Sequence, residues 1–461
     1  MHMSLSEIGR LLGAVGDYTL FRDLLVTGVS TDSRSVRPGD LFVCLSGNRF
    51  DGHHFVWEAV HKGAAAVLVE RPLMDFNGEI PLLLVKDSLQ ALGRLAAEWR
   101  RRFQGLVLGV TGTAGKTTVK EFLSSMLATR SRVGKNHKNW NNRLGLPLSI
   151  LGFSSREQYW VLEAGVSEKH EMEDLASILR PDLAILVNVG PCHLEGLGDV
   201  DGVAAEKCRL FEYVPSGGSG LVGRDYPEIF THLPEREDLQ LLSFSATESG
   251  GLYTGRCLQT SASESRFSLQ LQQGELQVAI PYSGRFMLEN VLAAAAAADV
   301  LGLDRDSIQA GLASAQLPEH RCQIQNLGKF QIIDDCYNAN PLAMRCAISN
   351  VAEIRGEAPL VLVLGEMKEL GAFGPKAHAA LGEMAAQTDC VGVIYYGGYS
   401  EDVRSGFERV GGRGDFEPIS SKQEFRDVWR RWGLEEGFVF FKGSRGCGLE
   451  ALLEILVQEI A

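Results

Sequence analysis

The 461-residue chain has no paired cysteine motif, no long hydrophobic run and no excess of positive charge. Its nine cysteines are scattered without a CxxC pair, which argues against a disulfide framework and against a structural zinc site. No apolar run is long enough to span a bilayer, and the N-terminus shows no basic stretch followed by an apolar core. We therefore expect reduced thiols, a cytoplasmic location and no stable membrane insertion.

Positive charge is outnumbered, with 45 Lys and Arg against 58 Asp and Glu, which gives a formal net charge of −13. This balance disfavours nonspecific attraction to nucleic acid or to an anionic membrane. The sequence also lacks internal repeats and low-complexity segments. We expect a monomer that acts on small molecules and has no nucleic-acid partner.

The length is too great for one hydrophobic core and is typical of about three domains. The pattern predicts an α/β protein with a small α/β N-terminal domain over residues 1–103. A central domain over 104–314 is expected to hold a parallel sheet like that of P-loop ATPases, with an antiparallel hairpin appended. Residues 315–461 are expected to form a Rossmann-like C-terminal domain.

Alternation of short apolar runs with helical stretches predicts parallel sheets covered by helices. The hairpin is indicated by a change of period, because Phe267, Leu269 and Leu271 alternate with polar residues before Gly274. The predicted strands lie at 41–45, 65–69, 82–85, 106–110, 159–163, 183–189, 330–334, 360–364, 392–396 and 438–441. The predicted helices include 55–62, 172–179 and 203–213.

The most informative segment runs from Thr111 to Thr118, with the sequence TGTAGKTT, between an apolar strand and an amphipathic helix. Backbone N–H groups of such a loop converge on phosphate oxygens, and the helix N-terminus adds partial positive charge. Lys116 would neutralise the terminal phosphates, and the Thr117 hydroxyl would face Mg²⁺. The loop departs from the general pattern, because Val110 stands where its first glycine belongs. An ordinary glycine-containing turn before a helix is the alternative.

Ligands of open parallel sheets bind beyond the carboxyl ends of the strands, so polar residues at those ends are candidates. Glu163 closes one strand and suits a Mg²⁺ ligand, although a solvated strand-end carboxylate has the same pattern. His193 lies just beyond the next strand, where a structural histidine is the alternative to a metal ligand. Residue patterns alone give no role to Lys207, which is predicted to lie on a helix.

In the C-terminal third, a cluster of carboxylates and amides over 334–341 follows a strand end, where it suits a ribose, a water or a polar substrate. A turn that ends in proline needs asparagines in any case, which is the alternative. Arg321 lies near the second domain junction, where a guanidinium can reach a transferring phosphoryl group. Lys442 begins a further cationic, glycine-containing loop, for which a plain surface loop is the alternative.

Together these segments resemble the Mur ligase family over nearly the whole chain. TGTAGKTT resembles the family's ATP loop, and the segments 30–34 and 39–42 (STDSR and GDLF) resemble its UDP-binding N-terminal domain. The segments 139–147 and 335–341 (NWNNRLGLP and DCYNANP) are similar to those of the members that add D-alanyl-D-alanine. A DNPR-like segment, expected of members that add diaminopimelate or lysine, is not found.

The resemblance implies that ATP phosphorylates the terminal carboxylate of a UDP-N-acetylmuramoyl-tripeptide and that the amine of D-alanyl-D-alanine then displaces phosphate. It implies ATP and two Mg²⁺ ions as cofactors. Lys116 would bind the β- and γ-phosphates, and Thr117 and Glu163 would hold one Mg²⁺. His193 would hold the second, assisted by a carbamylated Lys207.

Further roles follow from the resemblance. The catalytic set is Lys116, Lys207, His193 and Arg321. The nucleotide-binding set is Gly112, Thr113, Ala114, Gly115, Lys116, Thr117, Thr118, Asn290, Arg321 and Asp335, with Asn290 on the adenine, Asp335 on the ribose or the domain contact, and Arg321 near the γ-phosphate. The substrate-binding set is Ser33, Arg34, Asn141, Asn142, Tyr337, Asn338 and Asn340, of which the last three line the dipeptide side.

Three features depart from the family pattern. Ala114 stands where asparagine is usual, which removes a side chain that could brace the loop. Phe286 and Met287 replace a histidine and an asparagine, which predicts more apolar contacts to adenine. Glu366 stands where aspartate is commoner, and none of these changes removes an expected metal ligand.

Two other functions are open on the sequence. Another amide ligase of the same superfamily, such as a tripeptide-forming member or a folylpolyglutamate synthase, would share the ATP loop, although the uridine-type N-terminal domain disfavours the folate enzyme. A regulatory ATPase would hydrolyse ATP without an amino acceptor. The ligase hypothesis requires closure of the central and C-terminal domains to bring Arg321, Asp335 and Lys442 to the phosphates. The residue at position 3 of the tripeptide is left open.

Overall fold

A computed structural model describes residues 1–16, 21–47, 50–74, 80–247 and 250–460. Within these ranges the chain forms three mixed or parallel sheets of four, nine and six strands, together with a short two-stranded pair. The sheets follow one another along the sequence and are covered by helices. The prediction of a three-part α/β fold is confirmed.

The N-terminal part holds a four-stranded parallel sheet with the order β3-β4-β5-β6. The predicted strands are present with slightly shorter bounds, and the predicted helix at 55–62 is a 3₁₀ turn followed by a shorter α-helix. Its elements are β1 (Met3–Ser4), α1 (Leu5–Leu12), β2 (Leu25–Val26), β3 (Gly28–Ser30), β4 (Asp40–Val43), α2 (Val56–His61), β5 (Ala66–Val69), β6 (Leu82–Leu84) and α3 (Ser88–Arg102).

Helix α3 shows how local chemistry sets an element's ends. The Asp87 side chain accepts a hydrogen bond from Gln90 N over 2.8 Å and so caps the first turn. Three arginines, 100–102, occupy the last turn, where positive charge interacts favourably with the negative end of the helix dipole. Its apolar face, which includes Leu92 and Leu95, is fully buried.

The central part is built on a nine-stranded sheet with the order β15-β14-β13-β12-β11-β10-β7-β9-β8. Its elements are β7 (Leu106–Thr111), α4 (Lys116–Ala128), β8 (Val133–Lys135), α5 (Gly145–Gly152), β9 (Tyr159–Glu163), α6 (Glu171–Leu179), β10 (Leu183–Leu186), α7 (Leu194–Leu197), α8 (Val200–Cys208), β11 (Ser219–Gly223), α9 (Pro227–His232), β12 (Gln240–Ser245), β13 (Tyr253–Thr260), β14 (Ser265–Leu271), β15 (Gly274–Ile280), α10 (Met287–Val300) and α11 (Arg305–Ala313).

The predicted hairpin is confirmed as β14 and β15, which pair antiparallel. It extends the central sheet directly, because a strand that the sequence analysis missed, β13, pairs with β12 on one side and β14 on the other. Two predicted elements extended too far at their C-terminal ends. The strand predicted to reach Val189 ends at Leu186, and the helix predicted for 203–213 becomes a 3₁₀ turn after Cys208.

The C-terminal part is a six-stranded sheet with the order β16-β17-β21-β18-β19-β20. All pairs are parallel except β16 with β17. The sequence analysis missed β16 and β20, which are edge strands with largely polar, partly exposed residues and so lack an apolar run. Its elements are β16 (Gln323–Leu327), β17 (Phe330–Asp334), α12 (Pro341–Ile354), β18 (Leu360–Gly365), α13 (Gly374–Ala386), β19 (Gly392–Tyr396), α14 (Ser400–Arg409), β20 (Asp415–Ile419), α15 (Lys422–Trp432), β21 (Gly437–Lys442) and α16 (Glu450–Ile460).

Strand register brings the polar residues of each sheet to one edge. In the central sheet, Thr111 pairs with Leu186, and Val110 pairs with Glu163, so β7, β9 and β10 end together. In the C-terminal sheet, Asp334 pairs with Phe441, one residue before the end of β21. No helix among the described residues is long and apolar enough to cross a membrane.

Candidate active site

The loop between β7 and α4 is shaped by two glycines with positive φ, Gly112 at 155° and Gly115 at 80°. A Cβ atom on Gly115 would lie 1.9 Å from Asn290 Oδ1, so only glycine fits this contact. Asn188 holds the other side, because its carbonyl accepts from Thr113 N over 3.0 Å and its Oδ1 accepts from Ala114 N over 2.8 Å. The loop conformation is therefore fixed by Asn188, which follows β10, and by Asn290 of α10.

Lys116 is the first residue of α4 and is half-buried. Its Nζ donates to Gly112 O over 2.7 Å and to Thr113 O over 3.3 Å, which folds the side chain back across the loop. The ammonium group thus lies over the loop, where an anion held by the backbone N–H groups would need positive charge.

Thr117, in the first turn of α4, meets Glu163 at the end of β9. Thr117 Oγ1 donates to Glu163 Oε2 over 2.7 Å, and Asn141 Nδ2 donates to Glu163 Oε1 over 2.6 Å. Asn136, which the sequence analysis did not single out, fixes the backbone of Glu163 through both of its side-chain polar atoms. The Glu163 carboxylate is 2% exposed and is held in one orientation. A hydroxyl and a carboxylate side by side offer the oxygen ligands that Mg²⁺ prefers.

His193 precedes α7 and has a φ of 52°. Burial lowers the pKa of its imidazole, and the nearby charges of Lys207 and Lys116 lower it further, whereas Glu369 opposes them. A lowered pKa favours the neutral ring, which is the form that binds metal ions.

Lys207 lies on α8 and is 1% exposed. Its Nζ forms no hydrogen bond or ion pair with any residue that the structure describes. Burial is the main cause that lowers the pKa of the amine to about 8, and the charge of Lys116 makes a smaller contribution in the same direction. The amine is thus more easily neutral, and more nucleophilic, than that of a solvated lysine.

The C-terminal domain closes the other side of the loop. A cavity of about 370 Å³ is lined by both domains. It includes Thr113, Ala114, Gly115, Lys116, Thr117, Asn141, Asn142, Glu163, His193, Arg321, Asp335, Tyr337, Asn338, Asn340 and Lys442. The structure therefore brings together most of the residues that the sequence analysis had proposed from distant segments.

Asp335 and Arg321 are positioned by specific contacts. Asp335 forms a buried ion pair with Lys442, whose Nζ also donates to Asn338 O over 3.2 Å. The Arg321 guanidinium lies 4.1 Å from the centroid of the Tyr337 ring, within range of a cation–π interaction. Arg321 Nε is buried without a hydrogen-bond partner among the described residues. Arg321 therefore has donor capacity that the protein does not use.

A smaller cavity of about 110 Å³ continues from the loop between α10 and α12. Thr118, Phe286, Met287 and Asn290 line it, and Arg321 lines both cavities. Within the described residues, Asn290 Oδ1 is buried without a hydrogen-bond partner. An apolar wall with one unsatisfied acceptor is suited to a flat heteroaromatic ring that carries an amino group.

The same cavity is also lined by a partly buried hydrogen-bond network that the sequence analysis missed. Glu289 accepts from Tyr226 Oη over 2.7 Å and from Asn188 Nδ2 over 2.6 Å. Burial raises the pKa of the Glu289 carboxyl to about 7. Asn188 could have been found from its position after β10, but the overlong strand prediction placed it inside the sheet.

Ser33 and Arg34 lie elsewhere, in a cavity of about 970 Å³ on the N-terminal domain. Ser33 Oγ donates to Glu58 Oε2 over 2.8 Å, and Arg34 forms an ion pair with Asp32 at 2.7 Å. Leu144 lines this cavity, while Asn142, two residues earlier, lines the cavity at the loop. The two cavities are therefore adjacent along one short segment. Of the other predicted residues, Gly112 and Lys207 line neither cavity at the loop; Gly112 shapes the loop and Lys207 lies behind it.

A second group of metal-ligand side chains lies at the linker between the central and C-terminal domains. His320 Nδ1 lies 2.7 Å from Asp334 Oδ2, and Cys336 Sγ donates to Asp334 Oδ1 over 2.9 Å. These contacts connect the linker beside Arg321 to the end of β17. They form a hydrogen-bond network that accounts for the arrangement of the three side chains.

Comparison with known proteins agrees with this arrangement. The model of the Mur ligase family, catalytic domain, matches residues 25–100, and that of the Mur ligase middle domain matches residues 110–298. The model described as Mur ligase, glutamate ligase domain, matches residues 320–445. The three matches follow the three sheets along the chain.

One curated relative is the UDP-N-acetylmuramoyl-tripeptide–D-alanyl-D-alanine ligase of Escherichia coli (strain K12), 35% identical over 79% of each chain. Among solved structures, crystal structure I of MurF from Acinetobacter baumannii is 28% identical, with a TM-score of 0.90 over 99% of each chain. MurF ligase from Thermotoga maritima in complex with ADP is 29% identical, with a TM-score of 0.81 over 94% of this chain and 98% of that one.

Proposed function

The chain belongs to the Mur ligase family, and from this premise we propose that it is the ATP-dependent ligase that adds D-alanyl-D-alanine to UDP-N-acetylmuramoyl-tripeptide in peptidoglycan precursor synthesis. The observation that carries the proposal is the cavity at the phosphate loop, which is lined by the central and C-terminal domains. It contains the possible cation ligands Thr117 and Glu163 and the basic side chains of Lys116, Arg321 and Lys442. Relatives with this name match most of the chain.

The reaction is a carboxylate activation followed by acyl transfer. An oxygen of the tripeptide's terminal carboxylate attacks the γ-phosphorus of ATP, which releases ADP and leaves an acyl phosphate. The amine of D-alanyl-D-alanine then attacks the carbonyl carbon, and phosphate departs as the amide forms and the nitrogen loses a proton. The protein's part in both steps is to position the reactants and to stabilise negative charge.

Nucleotide binding is assigned to the phosphate loop and the smaller cavity. The N–H groups at the start of α4 would hold phosphate oxygens, and Lys116 would turn from the loop carbonyls to the β- and γ-phosphates. The apolar wall of Phe286 and Met287 would pack on adenine, and Asn290 Oδ1 would accept from its amino group. Arg321 would use its free Nε–H near the transferring phosphoryl group.

The donor set fits two Mg²⁺ ions, which when bound would neutralise phosphate charge in both steps. Thr117 and Glu163 offer hard oxygen ligands for the first ion, and His193 would hold the second. Lys207 would add CO₂ at its neutral amine and lose a proton, and the resulting carbamate would supply a carboxylate near His193. Its burial, its lowered pKa of about 8 and its unpartnered amine support this modification.

The substrates are assigned to the remaining groups. Ser33 and Arg34 would contact the uridine diphosphate in the N-terminal cavity, and Asn141 and Asn142 the muramoyl peptide. Tyr337, Asn338 and Asn340 would line the dipeptide side, and Asp335 would contact the ribose or fix the domain interface. We propose domain boundaries at 103/104 and 314/315, which fall between α3 and β7 and between α11 and β16.

The test is phosphate release from the full-length protein with Mg-ATP and UDP-N-acetylmuramoyl-tripeptide, with and without D-alanyl-D-alanine, while the product is followed by mass spectrometry. We expect release that depends on the dipeptide and a product that is heavier by two alanine residues. Phosphate release without dipeptide dependence would instead indicate a regulatory ATPase, and release that depends on another amine would indicate a different ligase.

A further inference from the structure

Glu369 of the C-terminal domain touches His193 of the central domain. Its carboxylate contacts His193 Nδ1, and its backbone carbonyl accepts from Glu195 N over 3.3 Å. A Cβ atom on the nearby Gly371 would lie 3.3 Å from Glu195 Cγ, so the two backbones are in close approach. The contact therefore lies at a packed junction between the two domains.

The segment that carries Glu369 is held in place by its own domain. Met367 N donates to His378 Nε2 over 3.0 Å, and Lys368 N donates to Ser444 Oγ over 3.0 Å. Glu369 itself has a φ of 63°, in a region that residues other than glycine seldom occupy. The domain thus holds the backbone that carries this carboxylate, so this backbone follows the domain when the domain moves.

The contact contributes little to stability, because the Glu369 side chain is 53% exposed and ion pairs with such exposure are screened by water. Its consequence is for the orientation of the imidazole. When a carboxylate accepts the Nδ1 proton of a histidine, the ring is fixed and Nε2 becomes the basic nitrogen. His193 lines the same cavity as Thr117 and Glu163, and Nε2 is the ring nitrogen that the contact with Glu369 leaves for a cation there.

We propose that Glu369 is a positioning residue, which orients His193 as a ligand of the second Mg²⁺ only while the C-terminal domain is docked on the central domain. The inference rests on the proposed function, which assigns that ion to His193. It couples domain closure to completion of the metal site, so that ATP is not activated in the open enzyme.

The test compares the full-length wild type with Glu369→Ala, Glu369→Asp and the control Glu401→Ala, which removes an exposed carboxylate from α14 of the same domain. Mn²⁺ binding is followed by electron paramagnetic resonance in the presence of the β,γ-methylene analogue of ATP. We expect two Mn²⁺ ions in the wild type. In Glu369→Ala the second should bind at least about tenfold more weakly, with the first unchanged. Glu369→Asp should recover part of the loss.

A second measurement needs no metal. Long-range ¹H–¹⁵N spectra, with His193 assigned by comparison with His193→Asn, should show a proton on Nδ1 in the wild type and in Glu401→Ala. In Glu369→Ala that preference should be lost, while the thermal unfolding temperature stays close to that of the wild type.

The outcomes separate this inference from the proposed function. Equal affinity for the second Mn²⁺ in the wild type and Glu369→Ala, or an unchanged His193 tautomer, would overturn the positioning role alone. If the wild type showed no nucleotide-dependent Mn²⁺ binding, the two-metal assignment in the proposed function would be wrong and this inference would fail with it.

Discussion

Thr117 Oγ1 donates a hydrogen bond to Glu163 Oε2 over 2.7 Å, which joins the first turn of the phosphate-loop helix to the end of the neighbouring strand. Both side chains are at least 97% buried. Pairing of Val110 with Glu163 explains why the two groups meet, because the register sets β7 and β9 to end at the same level. The pair thus joins the helix that follows β7 to the end of the neighbouring strand β9.

We expect Glu163→Gln to weaken metal-dependent nucleotide binding by about 10- to 100-fold, because the amide keeps the shape and an acceptor but removes the charge that a cation needs. Calorimetric titration with ADP, with and without Mg²⁺, measures the effect. Binding without Mg²⁺ should change little. Thr129→Val, at an exposed position beyond the end of the same helix, is the control and should bind like the wild type. Equal loss with and without Mg²⁺ would show that Glu163 acts on the fold of the site instead.

Lys207→Ala is expected to abolish turnover, because it removes the buried amine that would form the carbamate. In the wild type, ¹³C-labelled bicarbonate should give a carbamate signal by NMR that is absent from the variant. Removal of CO₂ should lower activity reversibly. Lys169→Ala, which changes an exposed lysine of the same domain, should keep both the signal and the activity. Near-normal turnover in Lys207→Ala would refute the assignment.

Arg321→Ala should lower kcat by about 100-fold or more, because a positive charge near the transferring phosphoryl group acts mainly in the transition state. Tyr337→Leu should have a smaller effect, about fivefold, since it removes only the ring under the guanidinium. Tyr337→Phe keeps that ring and is the matched control. Steady-state kinetics at varied ATP concentration separate the effect on kcat from the effect on KM for ATP. If Tyr337→Phe were as damaging as Tyr337→Leu, the hydroxyl and not the stacking would be important.

The phosphate loop could be predicted from sequence because its strand, glycines and helix are contiguous. Glu163 could be predicted because it is the charged residue at which an apolar run ends. Asn188 was not predicted as a site residue, because the apolar residues on both sides of it led to a predicted strand that includes it. In the structure β10 ends at Leu186. Lys207 illustrates the opposite case. Nothing in its local pattern separates it from a solvated helix lysine, and only the resemblance singled it out before the fold showed its burial.

Contacts between domains were beyond sequence reasoning. The meeting of Glu369 with His193 joins residues 176 positions apart and depends on how two separately folded sheets dock. Edge strands were missed for a different reason, because β16 carries polar residues where buried strands carry apolar runs. Periodicity reports burial of one face, so it is weakest where a strand is half-exposed.

Glu289 makes stability depend on pH in a direction that can be stated in advance. The folded protein holds this carboxyl at a pKa of about 7, above its ordinary value of 4.5, so between these pH values the folded state binds a proton that the unfolded chain has lost. The contribution of this group to the free energy of unfolding is therefore fully present below pH 4.5. It falls by about 3 kcal/mol as the pH rises to 7, at roughly 1.4 kcal/mol per pKa unit.

Glu289→Gln is neutral at every pH and can keep the contacts with Tyr226 and Asn188, so it should remove this pH dependence. The measurement is the unfolding temperature from pH 5 to pH 8 for the wild type, Glu289→Gln and Glu235→Gln, the last at an exposed position of the same domain. Relative to the wild type, Glu289→Gln should gain stability steadily as the pH rises, and Glu235→Gln should not. A constant difference across this range would mean that Glu289 does not titrate between pH 5 and 8, and that Tyr226 and Asn188 keep the carboxylate ionised.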